Sequence, residues 1–148
     1  MTEIKEFSAD MQEAVIQFLR NVFPESGKAL EPEGRHAAFA DIDGNFAGFW
    51  CLFDGEDLIG TSAVKKLDET VCELKAMYLY KSYHGMGLGR RLAETAISFA
   101  KKNGFGEMVL DTVSTYERAI RLYEKLGFRF TERYNDNNIA DVFMALEL

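Results

Sequence analysis

The chain has 148 residues, room for one domain with a substantial core but not for two comfortable ones. A hydrophobic share of 47%, with 12 Phe, 6 Tyr and 1 Trp, excludes a disordered chain. The net charge is −7 and no run of Lys or Arg occurs, which argues against a nucleic-acid partner, since neutralising phosphates needs a basic surface.

In chain order, Ile4 to Phe7 reads as a first strand. Ser8 then precedes a helical stretch in which Met11, Val15, Phe18, Leu19 and Val22 recur on one face. Met1 to Asp10 contains no continuous apolar segment, and no later stretch is long and apolar enough to span a membrane, so a soluble, cytoplasmic chain without a membrane partner is expected. Pro24, Gly27, Pro32 and Gly34 break the pattern and leave room only for short helices. Phe46 to Phe53 and Leu58 to Leu67 form a hairpin candidate around Asp54-Gly55-Glu56-Asp57, and Val71 to Tyr80 is a third run. Cys51 and Cys72 lie inside these runs without metal-ligand or redox spacing, so both are expected as small buried hydrophobes and no metal is expected.

From Gly89 to Lys102 the period changes to helical, with Leu92, Ala93, Ala96, Ile97 and Ala100 on one face and Asn103-Gly104 as the stop. Met108 to Asp111 reads as a buried strand. Ser114 and Glu117 have capping-box spacing before the stripe Ala119, Leu122, Tyr123 and Leu126. Phe128 to Tyr134 and Ile139 to Leu148 are two last strands around Asn135-Asp136-Asn137-Asn138. Hairpins followed by strand–helix–strand–helix–strand predict an α+β fold with a parallel step in its central sheet.

The most informative segment is Tyr83-His84-Gly85-Met86-Gly87-Leu88-Gly89-Arg90-Arg91. Glycines at alternate positions follow an apolar strand and open a helix. Such a loop lets the backbone approach a ligand, and the free N–H groups of the first helical turn point at it with the positive end of the dipole. A tight strand-to-helix turn is the plainer reading. A dinucleotide fingerprint fails because Arg90 stands where a third Gly is needed, and the P-loop ending Gly-Lys-Ser/Thr is absent.

Leu79-Tyr80-Lys81-Ser82-Tyr83-His84-Gly85-Met86-Gly87-Leu88-Gly89 resembles the coenzyme-A-binding motif of the GNAT acetyltransferase superfamily, with His84 where Arg or Gln is usual. Ala119-Ile120-Arg121-Leu122-Tyr123-Glu124-Lys125-Leu126-Gly127-Phe128 is similar to a second segment of the superfamily, in the right order and with Tyr116 where an Asn is frequent. The resemblance spans nearly the whole chain. It implies a GNAT fold whose mixed sheet of six to seven strands carries antiparallel hairpins and one splayed parallel pair, flanked by helices. It also implies acetyl-CoA as co-substrate, held by backbone groups of His84, Gly85, Met86, Gly87, Leu88, Gly89 and Arg90 and by contacts at Tyr116 and Ala119. A bulge in the preceding strand is implied too, where Met77, Tyr78 and Leu79 would hold the thioester carbonyl and pantetheine.

In the same resemblance Tyr123 matches the general acid that protonates the departing thiolate, and Glu73 matches a general base. By strand alternation Glu73 shares a face with Met77 and Leu79, apart from any bulge. Packing on the helix stripe and a solvated strand charge are the plainer readings of the two; a water relay, or Asp111, could replace Glu73. No Ser–His–Asp or Cys–His set can be assembled, so covalent catalysis has no support. The expected activity is transfer of an acetyl group to a primary amine of a small molecule, amino acid or peptide, by direct attack in a ternary complex. A non-catalytic acyl-CoA sensor and transfer of a longer acyl group stand as alternatives. The resemblance implies that the acceptor is set largely by the first helices and the late hairpin, roughly Phe18 to Phe39 and Tyr134 to Ile139, where no motif is readable, and a homodimer is left open.

Overall fold

Runs of apolar, aromatic and β-branched residues pair as strands here, and the central ones are buried on both faces. In the computed structural model, which describes residues 1–148, the strands are β1 (Thr2–Glu6), β2 (Gly48–Asp54), β3 (Asp57–Lys66), β4 (Val71–Leu79), β5 (Glu107–Thr112), β6 (Arg129–Phe130) and β7 (Val142–Glu147). The helices are α1 (Gln12–Val22), α2 (Ile42–Asn45), α3 (Leu88–Lys102) and α4 (Glu117–Lys125), with short 3-10 turns between them. The strands form one sheet in the order β1-β2-β3-β4-β5-β7-β6. Every neighbouring pair is antiparallel except β4 and β5.

Each face of the sheet is covered by the apolar stripe of a helix. Val15, Phe18, Leu19 and Val22 of α1 pack with Phe23, Phe39, Ile42 and Phe49 on one face. Ala96 and Ala100 of α3 and Tyr123 of α4 pack with Trp50, Leu74, Met108 and Met144 on the other. Both cysteines are fully buried, and burial pushes the Cys51 thiol up to about 12 and the Cys72 thiol up to about 11.

Two irregularities shape the sheet. First, the β3–β4 register shifts between Thr61↔Tyr78 and Ala63↔Lys75, so Ala76 and Met77 together face Ser62. Ala76 takes φ +54, alone among the non-glycine residues in being left-handed, and its carbonyl accepts a 2.6 Å bond from the buried Thr61 hydroxyl. Second, β4 and β5 pair only from Val71↔Glu107 to Glu73↔Val109, although β4 runs on to Leu79 and β5 to Thr112. Beyond Glu73 the two strands part, and the β5-facing edge of β4 is left open.

The late hairpin is shorter than expected. β6 has two residues and β7 begins at Val142, because the polar residues between them bond to distant side chains rather than to a partner strand. Tyr134 donates to Glu73, while Asn135 and Asn137 donate to Asp111. The expected capping box does not form either. Tyr116 is the N-cap of α4 without a side-chain bond, and Ser114 instead bonds Asp141 through its N–H at 2.7 Å and its hydroxyl at 2.8 Å. No helix is long and apolar enough to cross a membrane.

Candidate active site

The glycine loop sits at the open end of β4. Tyr83 and His84 close a short 3-10 turn, after which Gly85 and Gly87 take φ +83 and +76, values that suit glycine alone. Gly87 is the N-cap of α3, and the first helical bond runs from the Arg91 N–H to the Gly87 carbonyl at 3.1 Å. From Gly85 through Arg90, no backbone N–H meets an acceptor within the chain. The His84 N–H does not join this row, since it donates to the Lys81 carbonyl at 3.0 Å; its ring contacts the Leu79 carbonyl at 3.1 Å. Met86 contributes backbone only, its side chain standing in solvent.

This row of N–H groups opens onto a groove of about 780 Å³ that runs from α3 to the parted strands. Met77, Tyr78, Leu79, His84, Gly85, Gly87, Leu88, Gly89, Arg90, Tyr116, Ala119 and Tyr123 all line it, so the structure brings together nearly every residue expected at a coenzyme site. Sequence reasoning missed the rim. Lys28, Lys81, Arg118, Arg121 and Lys125 join Arg90 at the groove, where Glu25 is the one carboxylate, although the whole chain carries −7. Arg118, Arg121 and Lys125 recur on one side of α4, a helical-period cation stripe that was the available signal. Glu25 accepts the Lys81 N–H at 2.8 Å and so ties the end of α1 to the loop.

Tyr123 projects from α4 with only 6% of its surface exposed, its ring edge-on to Phe128. Its hydroxyl bonds to no group of the chain and is not sealed in the core, so it faces the groove. Burial, reinforced by neighbouring Tyr78, pushes its pKa well above the ordinary tyrosine value; the hydroxyl keeps its proton and is a donor. Tyr78 is pushed up to about 12, first by burial and then by Tyr116.

The bulge changes which residues share a face. Cys72, Leu74 and Met77 pack toward α3 and α4, whereas Ala76 and Tyr78 pack toward α1. Glu73 is therefore on the face of Tyr78 and not on that of Met77 and Leu79, because the extra residue reverses the alternation. Glu73 does not line the groove. Only 4% exposed, it lines a second cavity of about 720 Å³ with Asp111, Arg35, Lys65, Lys75 and the segment Tyr134 to Asn138. Tyr134 donates to Glu73 Oε2, and Lys75 Nζ lies 3.8 Å from Oε1. Burial and then the Glu73 carboxylate raise the Tyr134 pKa, which keeps that hydroxyl a donor.

β4 borders both spaces: Met77, Tyr78 and Leu79 line the groove, whereas Glu73 and Lys75 line the second cavity. The parting of β4 and β5 thus leaves a groove rimmed by cations and, farther back along β4, a charged cavity. A family model described as the acetyltransferase (GNAT) family matches residues 11–128, a span holding the loop, the bulge and Tyr123. The chain belongs to the GNAT family.

Among GNAT relatives, the uncharacterized N-acetyltransferase YsnE of Bacillus subtilis is 31% identical over 122 residues, covering 79% of this chain and 81% of that one. The chain spans only 37% to 49% of the length of several other curated relatives it matches. A GNAT-family acetyltransferase of Staphylococcus aureus Mu50 superposes with a TM-score of 0.89 at 20% identity, over 99% of each chain. One from Elizabethkingia anophelis, solved with acetyl-CoA bound, gives 0.74 at 18% identity over 99% of this chain and 98% of that one. At such identities the likeness is one of fold, and the seven-stranded GNAT sheet with a single parallel pair is that fold.

Proposed function

We propose that this GNAT protein is an acetyl-CoA-dependent N-acetyltransferase, acting on a primary amine of a small acceptor by direct attack in a ternary complex. The row of unpaired N–H groups from Gly85 to Arg90, ringed by cations in an acidic protein, carries the reading. Backbone donors at a helix start, with Arg and Lys beside them, are the chemistry that holds a pyrophosphate. The open edge of β4 offers backbone groups to an extended pantetheine arm in the manner of an added strand. The relative solved with acetyl-CoA bound supports the same coenzyme.

Acetyl-CoA supplies an electrophilic thioester. The freed backbone beside the bulge at Ala76 and Met77 receives its carbonyl oxygen, where negative charge develops. Glu73, in the second cavity, takes a proton from the acceptor ammonium, since only the neutral amine attacks. Tyr123 gives its proton to the sulfur as the carbon–sulfur bond breaks, and the proton that the new amide nitrogen sheds restores the phenol. Mass spectrometry of a reaction with excess enzyme tests the direct route. Acetylated amine and free thiol should appear in equal amounts with the protein mass unchanged; an acetylated protein that passes its group to the amine would overturn it.

A further inference from the structure

The second cavity holds charges that its own residues leave unmatched. Of its three carboxylates Asp136 is exposed, and the other two are oriented mainly by neutral donors: Tyr134 on Glu73, and the carboxamides of Asn135 (2.7 Å) and Asn137 (3.2 Å) on Asp111. Both carboxamides bond Oδ2 of Asp111, so Oδ1 is free, and Asp111 has no ion pair. The cations Arg35 and Lys65, both at the exposed mouth of the cavity, have none either. Arg35 spends one guanidinium nitrogen on the Asn137 side-chain oxygen at 3.2 Å, and that carboxamide donates in turn to Asp111. A single carboxamide therefore separates a free cation from a free carboxylate, in a cavity that shares strand β4 with the groove.

Uncompensated charges of both signs at short range fit a ligand that carries both. A simple alkylamine would satisfy Asp111 and Glu73 while leaving Arg35 and Lys65 without a partner. An amine bearing its own carboxylate gives partners to both signs, beside the existing Lys75–Glu73 pair and the exposed Asp136. We infer that the acceptor is a free amino acid, its ammonium group between Asp111 and Glu73 and its carboxylate on Arg35 and Lys65. This rests on the acetyltransferase reading above and names the substrate class of that site. Glu73 and Asp111 stand on β4 and β5, the two strands that part beyond Glu73, where the groove-lining residues of β4 begin four residues on at Met77.

The test is thiol release from acetyl-CoA by the full chain, with α- and β-amino acids each paired with the amine left when its carboxylate is removed, and with its carboxamide. The carboxylate-bearing partner should have the higher kcat/KM by at least about tenfold, the scale of one charge-assisted hydrogen bond. Arg35→Gln should collapse that ratio mainly through KM, and Asp111→Asn should raise KM for both partners. The inference is overturned if the decarboxylated amines or carboxamides serve equally well, or if Arg35→Gln leaves the ratio as it was. It is also overturned if no amino acid turns over while acetyl-CoA still binds calorimetrically, a result that leaves the coenzyme site standing. Failure of acetyl-CoA to bind would strike the acetyltransferase reading itself.

Discussion

A tyrosine held away from water keeps its proton, and Tyr123 combines that burial with a hydroxyl turned to the groove. Tyr123→Phe keeps the ring against Phe128 and removes a hydroxyl that bonds nothing in the chain. Turnover should fall by about ten- to ten-thousand-fold in single-turnover measurements, with thermal stability nearly unchanged. Full single-turnover activity would return Tyr123 to a packing role. Its raised pKa sets a sign for the pH profile as well. The wild-type rate should climb as the amine loses its proton and should not turn down near pH about 10, where an ordinary tyrosine acid would ionise. Glu73→Gln should leave acetyl-CoA affinity intact, since Glu73 lies outside the groove, and should lower turnover by about tenfold or more with partial recovery at higher pH. A profile identical to wild type would leave Glu73 only its bonds to Tyr134 and Lys75.

Among elements, the glycine loop and α3 were legible because their signals are local. Gly85 and Gly87 sit at positive φ, and Leu92, Ala93, Ala96 and Ala100 make a helical stripe. The bulge was not legible from the residues alone, since the strained position is an Ala and its support, the Thr61 hydroxyl, lies on another strand. The late loop failed for the same reason: Tyr134 finds Glu73, 61 residues away, instead of a neighbouring strand. So the groove could be drawn from sequence, whereas the second cavity, assembled from β3, β4, β5 and two loops, could not. Two substitutions test the elements. Gly87→Glu meets open space within the chain, so apart from about 1–2 kcal/mol for its left-handed backbone it acts on the ligand. Acetyl-CoA binding by calorimetry should weaken severely with the circular dichroism spectrum retained, and unchanged affinity would remove the loop from the site. Ala76→Val places a β-branched residue at φ +54 and should cost about 1–3 kcal/mol in thermal unfolding, with lower turnover as the bulge shifts. Wild-type stability and turnover would show that Ala76 does not fix the bulge.

Over the whole molecule, charge is sorted rather than spread. The chain carries −7, yet its groove is lined by six Lys and Arg residues against one carboxylate. Acetyl-CoA affinity should therefore fall as ionic strength rises, and a salt-independent affinity would deny the cation rim a part in binding. Acid should loosen the fold in two windows. Burial lowers the pKa of His36, whose neutral Nδ1 accepts the Glu31 N–H at 2.9 Å; that contribution is present above about pH 6.5 and is lost as pH falls through the lowered value. Asp54, Asp68 and Asp141 are lowered by bonds from Tyr83, from the backbone at Thr70 and from Ser114, so their contributions are lost only at still lower pH. In the proposed reaction the groove delivers an acetyl group across the gap between β4 and β5 to an amine. Thiol release from acetyl-CoA, followed with and without a panel of amines, tests it most directly. Release should be saturable in both substrates, dependent on amine and matched by acetylated product; saturable acetyl-CoA binding with no amine-dependent release from any of them would contradict the claim and leave a coenzyme-binding module.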